Sequence, residues 1–296
     1  MRRNVKGDQV ARELLPGSSK ALLQELHLLT REGNLNADSL RKLKQVNHLV
    51  RLLAPALDDV LGRFGDPVVV DCGSGKGYLG FILYELCVGP AGKGTLLGIE
   101  SRPELAKAAA ERASRLGYDR MRFLATDVSG APVPPRVNLV TALHACDTAT
   151  DDAIVLAARH GADHVALVPC CQAEVARQLA AGSGTDPALG EMHRHPWHRR
   201  ELGSHLTNVI RALALEALGY QVTVTELAGW EHSLKNELIL GRKIHGESRG
   251  ARGRLEALLA AAGVRPKLVR ELWGAAPEGL ADVAADVAPE DPPATV

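Results

Sequence analysis

The sequence predicts an α/β protein built on a doubly wound, seven-stranded, mostly parallel sheet with an antiparallel last strand, preceded by a helical cap and followed by a small helical tail. Three observations carry this expectation. Short apolar runs alternate with helical stretches from Val68 onward, the pattern of a parallel sheet covered on both faces. The first run leads directly into glycines at alternate positions, a strand-to-helix turn that such sheets place at their carboxyl edge. The last two runs are joined by a loop without a helix, which fits an antiparallel hairpin.

The elements follow in order. Residues 10 to 53 read as helical, because Leu40, Leu43, Val46, Leu49, Val50 and Leu53 recur at spacings of three and four. Asn36 and Asp38 are candidate N-caps, and Arg41, Lys44, His48 and Arg51 form a basic row that is either solvated or an acceptor-facing wall. Strands are expected at Val68 to Val70, Leu96 to Ile99, Met121 to Leu124, Val137 to Leu143 and His164 to Val168. After a His-rich stretch from Met192 to Arg200, a helix over Leu206 to Leu218 leads to strands at Tyr220 to Leu227 and Glu237 to Gly241. Residues 246 to 263 end in an Ala/Leu-rich helix, and the acidic, Pro-containing end from Ala284 reads as disordered. The expected organisation is a cap over 1–53, a main domain over 54–245 and a tail over 246–296.

Charge and composition exclude several classes. Lys+Arg and Asp+Glu are each 35, so a nucleic-acid partner would need a local patch instead of a global field. No apolar run is long enough to span a bilayer, and the start lacks the pattern of a secretory signal, so the expected compartment is the cytoplasm with no membrane partner. Cys72, Cys87, Cys146, Cys170 and Cys171 contain no CxxC pair and are odd in number, which argues for reduced thiols. No protein partner is inferable.

The chemistry concentrates in the turn after the first strand, Val70-Asp71-Cys72-Gly73-Ser74-Gly75-Lys76-Gly77-Tyr78. Gly73, Gly75 and Gly77 let the backbone turn tightly and approach a ligand. Asp71 would repel a pyrophosphate but can orient the amino-acid end of S-adenosylmethionine and tolerates its sulfonium. Gly75 to Gly80 also satisfies G-x-G-x-x-G, so an NAD(P)-dependent oxidoreductase is the competing reading. Glu100, ending the second strand, can accept from both ribose hydroxyls. Asp127 after the third strand suits the exocyclic amine of adenine, with Val128 packing near the ring. Acids ending three successive strands favour S-adenosylmethionine, although each can also be a structural cap.

A second constellation follows the fourth and fifth strands, in Leu143-His144-Ala145-Cys146-Asp147-Thr148-Ala149-Thr150-Asp151 and Val168-Pro169-Cys170-Cys171-Gln172. Both segments should project from the edge that carries the glycine turn. His144 or Asp147 can take the acceptor's proton in a transfer to oxygen or nitrogen. Cys170 or Cys171 can instead attack a pyrimidine, or act as small apolar strand ends. His144, Cys146, Cys170 and Cys171 could together hold a soft metal ion, but no metal site is assigned. Lys235 and Asn236, before the last strand, can reach toward an acceptor. His193, His195 and His198 lack the spacing of a helical metal pair and read as a surface loop.

At these residues the sequence resembles a bacterial methyltransferase-domain family related to the domain of the eukaryotic glutathione S-transferase C-terminal-domain-containing protein. The resemblance rests on Asp71 to Leu79, Leu143 to Asp151, Val168 to Glu174, Glu231 to Asn236 and Lys42 to Leu49. It departs at Ala173, where the family pattern has a histidine, and at Ser233-Leu234, where it has Thr-Pro. More distantly, the His-Cys motif paired with a double cysteine is similar to eukaryotic tRNA ribose methyltransferases. The resemblance implies a Rossmann-like class I methyltransferase fold and S-adenosylmethionine-dependent methyl transfer, with RNA (tRNA or rRNA) as the possible acceptor. A non-catalytic cofactor- or metal-binding interaction module is the remaining alternative.

Overall fold

The structure, a computed structural model, describes residues 19–30, 32, 34, 37–143, 145, 147–169, 172–181, 187–227 and 237–274. Its strands are β1 (Val68–Cys72), β2 (Thr95–Glu100), β3 (Met121–Ala125), β4 (Leu139–Leu143), β5 (His164–Val168), β6 (Tyr220–Glu226) and β7 (Glu237–Lys243). They form one sheet in the order β3-β2-β1-β4-β5-β7-β6. The strands β1 to β5 pair in parallel, and β7 runs antiparallel between β5 and β6. The late hairpin therefore closes the sheet with its second strand tucked inside. Strand order reverses where β1 meets β4, which opens a crevice beyond the carboxyl ends of those two strands.

Alternate residues of the strands feed two separate cores. Val70, Val140 and Val165 pack with α5 (Ala149–Arg159), α8 (Pro196–Ala217), α9 (Arg249–Ala262) and α10 (Lys267–Trp273). Val69, Leu139 and Ala166 pack with α1 (Lys20–Glu25), α2 (Ala37–Arg63), α3 (Tyr78–Leu83) and α4 (Pro103–Leu116). Continuous apolar strands such as Val68-Val69-Val70 are what this two-sided burial requires.

In α2 the expected stripe is buried at Leu43, Leu49, Val50 and Leu53, and the helix continues through the boundary expected at 53 to Arg63, burying Leu57 and Val60 as well. Asn36 and the side chains of Asp38 and Arg41 lie outside the described residues. The far end of α2 is tied to the amino edge of the sheet: His164 Nε2 and Asp59 are 2.7 Å apart, and Arg63 reaches Asp163 at 3.2 Å. A helix of this length spans about 40 Å, whereas the strands cover roughly 17–24 Å. The first turns of α2 therefore stand at the carboxyl edge.

The His-rich stretch is not the loop that its sequence suggested. It comprises the end of α7 (Pro187–His193), a two-residue break at Arg194 and His195, and the start of α8 with Pro196 in its first turn, a position where the missing N–H of proline costs nothing. Helix α8 crosses α6 (Glu174–Ala181) so closely that a Cβ on Gly203 would lie 2.7 Å from the Ala176 Cα. The tail docks through α10, where Lys267 pairs with Asp152 at 2.6 Å and the Lys267 N–H donates to Glu174. The segment from Ala284 lies outside the described residues. Among the described residues no helix is long and apolar enough to cross a membrane.

Because the α6–α8 contact is backbone against backbone, Gly203→Ala is expected to destabilise the fold by about 1–3 kcal/mol through overpacking. Urea denaturation of the variant beside the wild type checks this.

Candidate active site

The site is built on the end of β1. Asp71 lies in register with Gly98 of β2 and Thr141 of β4, and its carboxyl is 4 % exposed. The Thr141 hydroxyl donates to Asp71 Oδ1 at 2.8 Å. Burial pushes the Asp71 pKa from 3.8 up to about 6, and the Thr141 hydrogen bond only partly opposes it. Helix α3 is also close: a Cβ on Gly80 would lie 3.5 Å from Asp71 Oδ2.

From Asp71 the chain turns through Gly73, Gly75 and Gly77, all left-handed, with φ of 65°, 57° and 75°. Side chains with a Cβ are disfavoured there, and at Gly77 a Cβ would also come within 2.9 Å of the Phe81 ring. The turn is pinned by Ser74 N–H to the Ile99 carbonyl at 2.9 Å and Gly75 N–H to Glu100 Oε2 at 2.8 Å. Ser74 Oγ is buried without a hydrogen-bond partner among the described residues. An orphaned hydroxyl in a turn free of Cβ atoms, beside a buried carboxylate, fits a ligand with polar groups such as the amino-acid end of S-adenosylmethionine.

Glu100 ends β2 as expected, with its oxygens already engaged. Oε2 accepts from Gly75, while Oε1 accepts from the Arg102 backbone N–H at 3.1 Å and from Arg102 Nε at 2.7 Å. Burial raises its pKa, but the Arg102 guanidinium and the two backbone donors outweigh this, and the carboxyl stays below the usual range. A carboxylate oxygen has two lone pairs, so Oε2 keeps one for a ribose hydroxyl. A grip on both hydroxyls requires Arg102 to let go of Oε1. Asp127, exposed, precedes the short 3₁₀ turn Val128–Gly130 without capping it, and Val128 is buried. The carboxylates thus terminate or follow β2, β1 and β3 along one edge.

Of the acceptor-side candidates, Asp147 lies within the described residues; His144, Cys146, Cys170, Cys171, Lys235 and Asn236 lie outside them. Ala145, between His144 and Cys146 in the chain, packs against the glycine turn, because a Cβ on Gly73 would be 3.4 Å from the Ala145 Cβ. The loop after β4 therefore borders the cofactor turn. Asp147 has φ of 49°, a strained value that persists only where the surroundings enforce it. Its Oδ1 accepts from Ala173 N–H at 3.0 Å, its Oδ2 is 3.5 Å from Arg177, and its carbonyl accepts from Arg211 at 2.8 Å.

Arg211 was not singled out from the sequence. It is 1 % exposed, pairs with buried Asp151 at 2.7 Å, and approaches Asn208 Oδ1 at 3.4 Å. Asn208 accepts from Gln172 at 2.9 Å and donates to Glu237 at 3.0 Å, and Ser204 donates to Gln172 at 2.8 Å. This network fastens the loops after β4 and β5 and the start of β7 to α8. A visible signal existed: Asn208 and Arg211 sit three apart on the same side as Ala214 and Leu215, where an amphipathic helix should be apolar. Thr141 and Arg102 carried no comparable signal.

Residues 41–178 match a family profile described as a methyltransferase domain. The glutathione S-transferase C-terminal domain-containing proteins of Macaca fascicularis and Homo sapiens are each 27% identical over 232 residues, 71% of this chain. The chain spans about a third of the length of those curated relatives, 35%. Among solved structures it is similar to the SAH-bound Podospora anserina methyltransferase PaMTH1, at 15% identity and TM-score 0.47 over 80% of this chain and 95% of that one. It is also similar to an rRNA methylase from Streptococcus thermophilus, at 13% identity and TM-score 0.44 over 66% and 96%. The matched residues 41–178 run from α2 through β1 to β5 into α6, and so contain the glycine turn, Glu100 and Asp127.

Arg211→Met leaves Asp151 charged and unpaired in the interior, so a loss of about 3–5 kcal/mol is expected. Adding Asp151→Asn to it should return much of that loss. Guanidinium denaturation of both variants measures the difference, and equal stabilities would contradict a buried ion pair.

Proposed function

We propose that this methyltransferase-domain protein methylates an RNA acceptor in the cytoplasm, with S-adenosylmethionine held at the glycine turn. The observation that carries the cofactor assignment is the buried Asp71 carboxylate, placed where a dinucleotide would bring its pyrophosphate. Such a site repels a diphosphate and attracts a cation. Ser74 and Asp71 would bind the amino-acid end, Gly73, Gly75 and Gly77 would let it approach the backbone, Glu100 would take a ribose hydroxyl, and Asp127 with Val128 would receive adenine. Bound there, S-adenosylmethionine supplies an electrophilic methyl group carried on a positively charged sulfur.

The chain's own part in the transfer is to aim the acceptor and accept its proton. With Oδ1 committed to Ala173 and Oδ2 beside Arg177, Asp147 is assigned to positioning, and proton removal goes to His144. Cys170, Cys171, Lys235 and Asn236 are proposed to complete the acceptor side. Motif resemblance supports RNA over a protein or small-molecule acceptor.

The test is calorimetric titration with S-adenosylhomocysteine, which retains the ammonium group, across pH. Asp71 is protonated and neutral below about 6 and charged above it, so affinity should rise as pH increases through about 6. In Asp71→Asn that rise should vanish and binding should weaken by roughly tenfold or more, the scale of a lost charge-assisted contact. The same raised pKa acts oppositely on folding, where this group's contribution to stability falls as pH rises from 3.8 to about 6. NADH binding in place of S-adenosylhomocysteine would overturn the assignment.

A further inference from the structure

Eight consecutive residues, His193 to Arg200, hold three arginines, three histidines and no acid, in a chain whose formal net charge is zero. They sit at the α7–α8 junction, and the topology fixes where that junction stands. Helix α8 ends at Ala217, one turn before β6 begins at the amino edge, where the Tyr220 hydroxyl donates to the Ala162 carbonyl ahead of β5. Its 22 residues run about 33 Å. Gln172, just past the carboxyl end of β5, meets α8 at Ser204 and Asn208. The turns before Ser204 therefore rise above the carboxyl edge, on the sheet face opposite α2.

At this rim the side chains have the makeup of a single-strand nucleic-acid surface. Trp197 is 58 % exposed, and the Arg200 guanidinium lies 4.4 Å from its ring centroid. His195 and His198 meet edge to face at 5.5 Å. The arginines do have acidic neighbours: Arg194 is 3.3 Å from Glu191, and Arg200 is 3.5 Å from Glu201. All four partners are largely exposed, and such pairs are worth about 0–1 kcal/mol, so phosphates can replace the carboxylates. The exposed Trp197 ring, with an arginine beside it, offers the kind of aromatic face on which bases of single strands stack. The positive end of the α8 dipole adds to the attraction for phosphate.

We infer that the α7–α8 rim, through Arg194, His195, Trp197, His198, Arg199 and Arg200, is a docking surface for single-stranded RNA, with a base stacked on Trp197 and phosphates on the arginines. This rests on the RNA reading of the acceptor and supplies its location. The docked strand leads toward the crevice between β1 and β4, because the same helix carries Ser204 and Asn208 to the loop after β5.

The experiment is fluorescence anisotropy with the full chain and a labelled single-stranded RNA of about twenty nucleotides, long enough for one site. The variants are Trp197→Ala and the double charge reversal Arg199→Glu/Arg200→Glu, with Lys44→Glu/Arg51→Glu on α2 as the opposite rim. Trp197→Ala should weaken binding roughly five- to hundredfold, the range for one stacked base. The α8 reversal should weaken it at least about tenfold and flatten its salt dependence, while S-adenosylhomocysteine affinity and thermal midpoint stay at wild-type values. Wild-type RNA binding that only the α2 reversal reduces would overturn this surface and leave the RNA reading standing. A wild type that binds S-adenosylhomocysteine but no RNA would overturn both. Reversal effects without any effect of Trp197→Ala, together with displacement of the RNA by polyglutamate, would overturn the stacking surface in favour of a bare charge patch.

Discussion

The structure depends on a carboxylate buried at the carboxyl end of its central strand. Keeping Asp71 charged in that position at neutral pH costs ~3 kcal/mol, the equivalent of a pKa raised to about 6. That cost dictates the neighbours. Thr141 stands beside it on β4 and donates its hydroxyl, while Gly98, in register on β2, answers a separate need, since a Cβ there would lie 2.6 Å from the Phe123 ring. The parallel order β2-β1-β4 is what brings both positions into register. A purely structural interior would place an apolar residue at Asp71; retaining an acid with a raised pKa in a crevice points to a ligand that compensates it.

The same edge carries Glu100, Asp127 and Asp147. Glu100 shares its oxygens between the glycine turn and Arg102, which links the turn to β2 and leaves the cofactor side partly self-satisfied. Arg211 and Asp151 do the corresponding work beyond β4 and β5, holding Asp147 and, with Asn208 and Gln172, tying the segments after those strands to α8. The two halves meet where Ala145 packs on Gly73. The glycine turn and the loop after β4 therefore touch directly, through Gly73 and Ala145 instead of through a long flexible side chain.

Much of this was legible before any coordinates. The seven strands lie where apolar runs placed them, because strands buried on both faces leave a compositional trace. The glycines at 73, 75 and 77 read as a tight turn, and all three adopt a left-handed φ there. Less visible was whatever depends on the third dimension. Thr141 looks like any β-branched strand residue, and Arg102 follows Glu100 with nothing to mark it as a clamp. Arg211 could have been found as a charge on an apolar stripe. The spacing of His193, His195 and His198 reads as a surface loop, yet Pro196 stands in the first turn of α8, where proline marks a helix start.

On the function proposed above, the glycine turn and the end of β2 cradle the amino-acid and ribose parts of S-adenosylmethionine. Amide hydrogen exchange of the full chain with S-adenosylhomocysteine, and separately with NADH, tests it most directly. S-adenosylhomocysteine is expected to slow exchange at Gly73 to Gly77 and around Glu100 to Arg102, while NADH leaves both segments unchanged. Protection by NADH, or protection by S-adenosylhomocysteine confined to other segments, would contradict it.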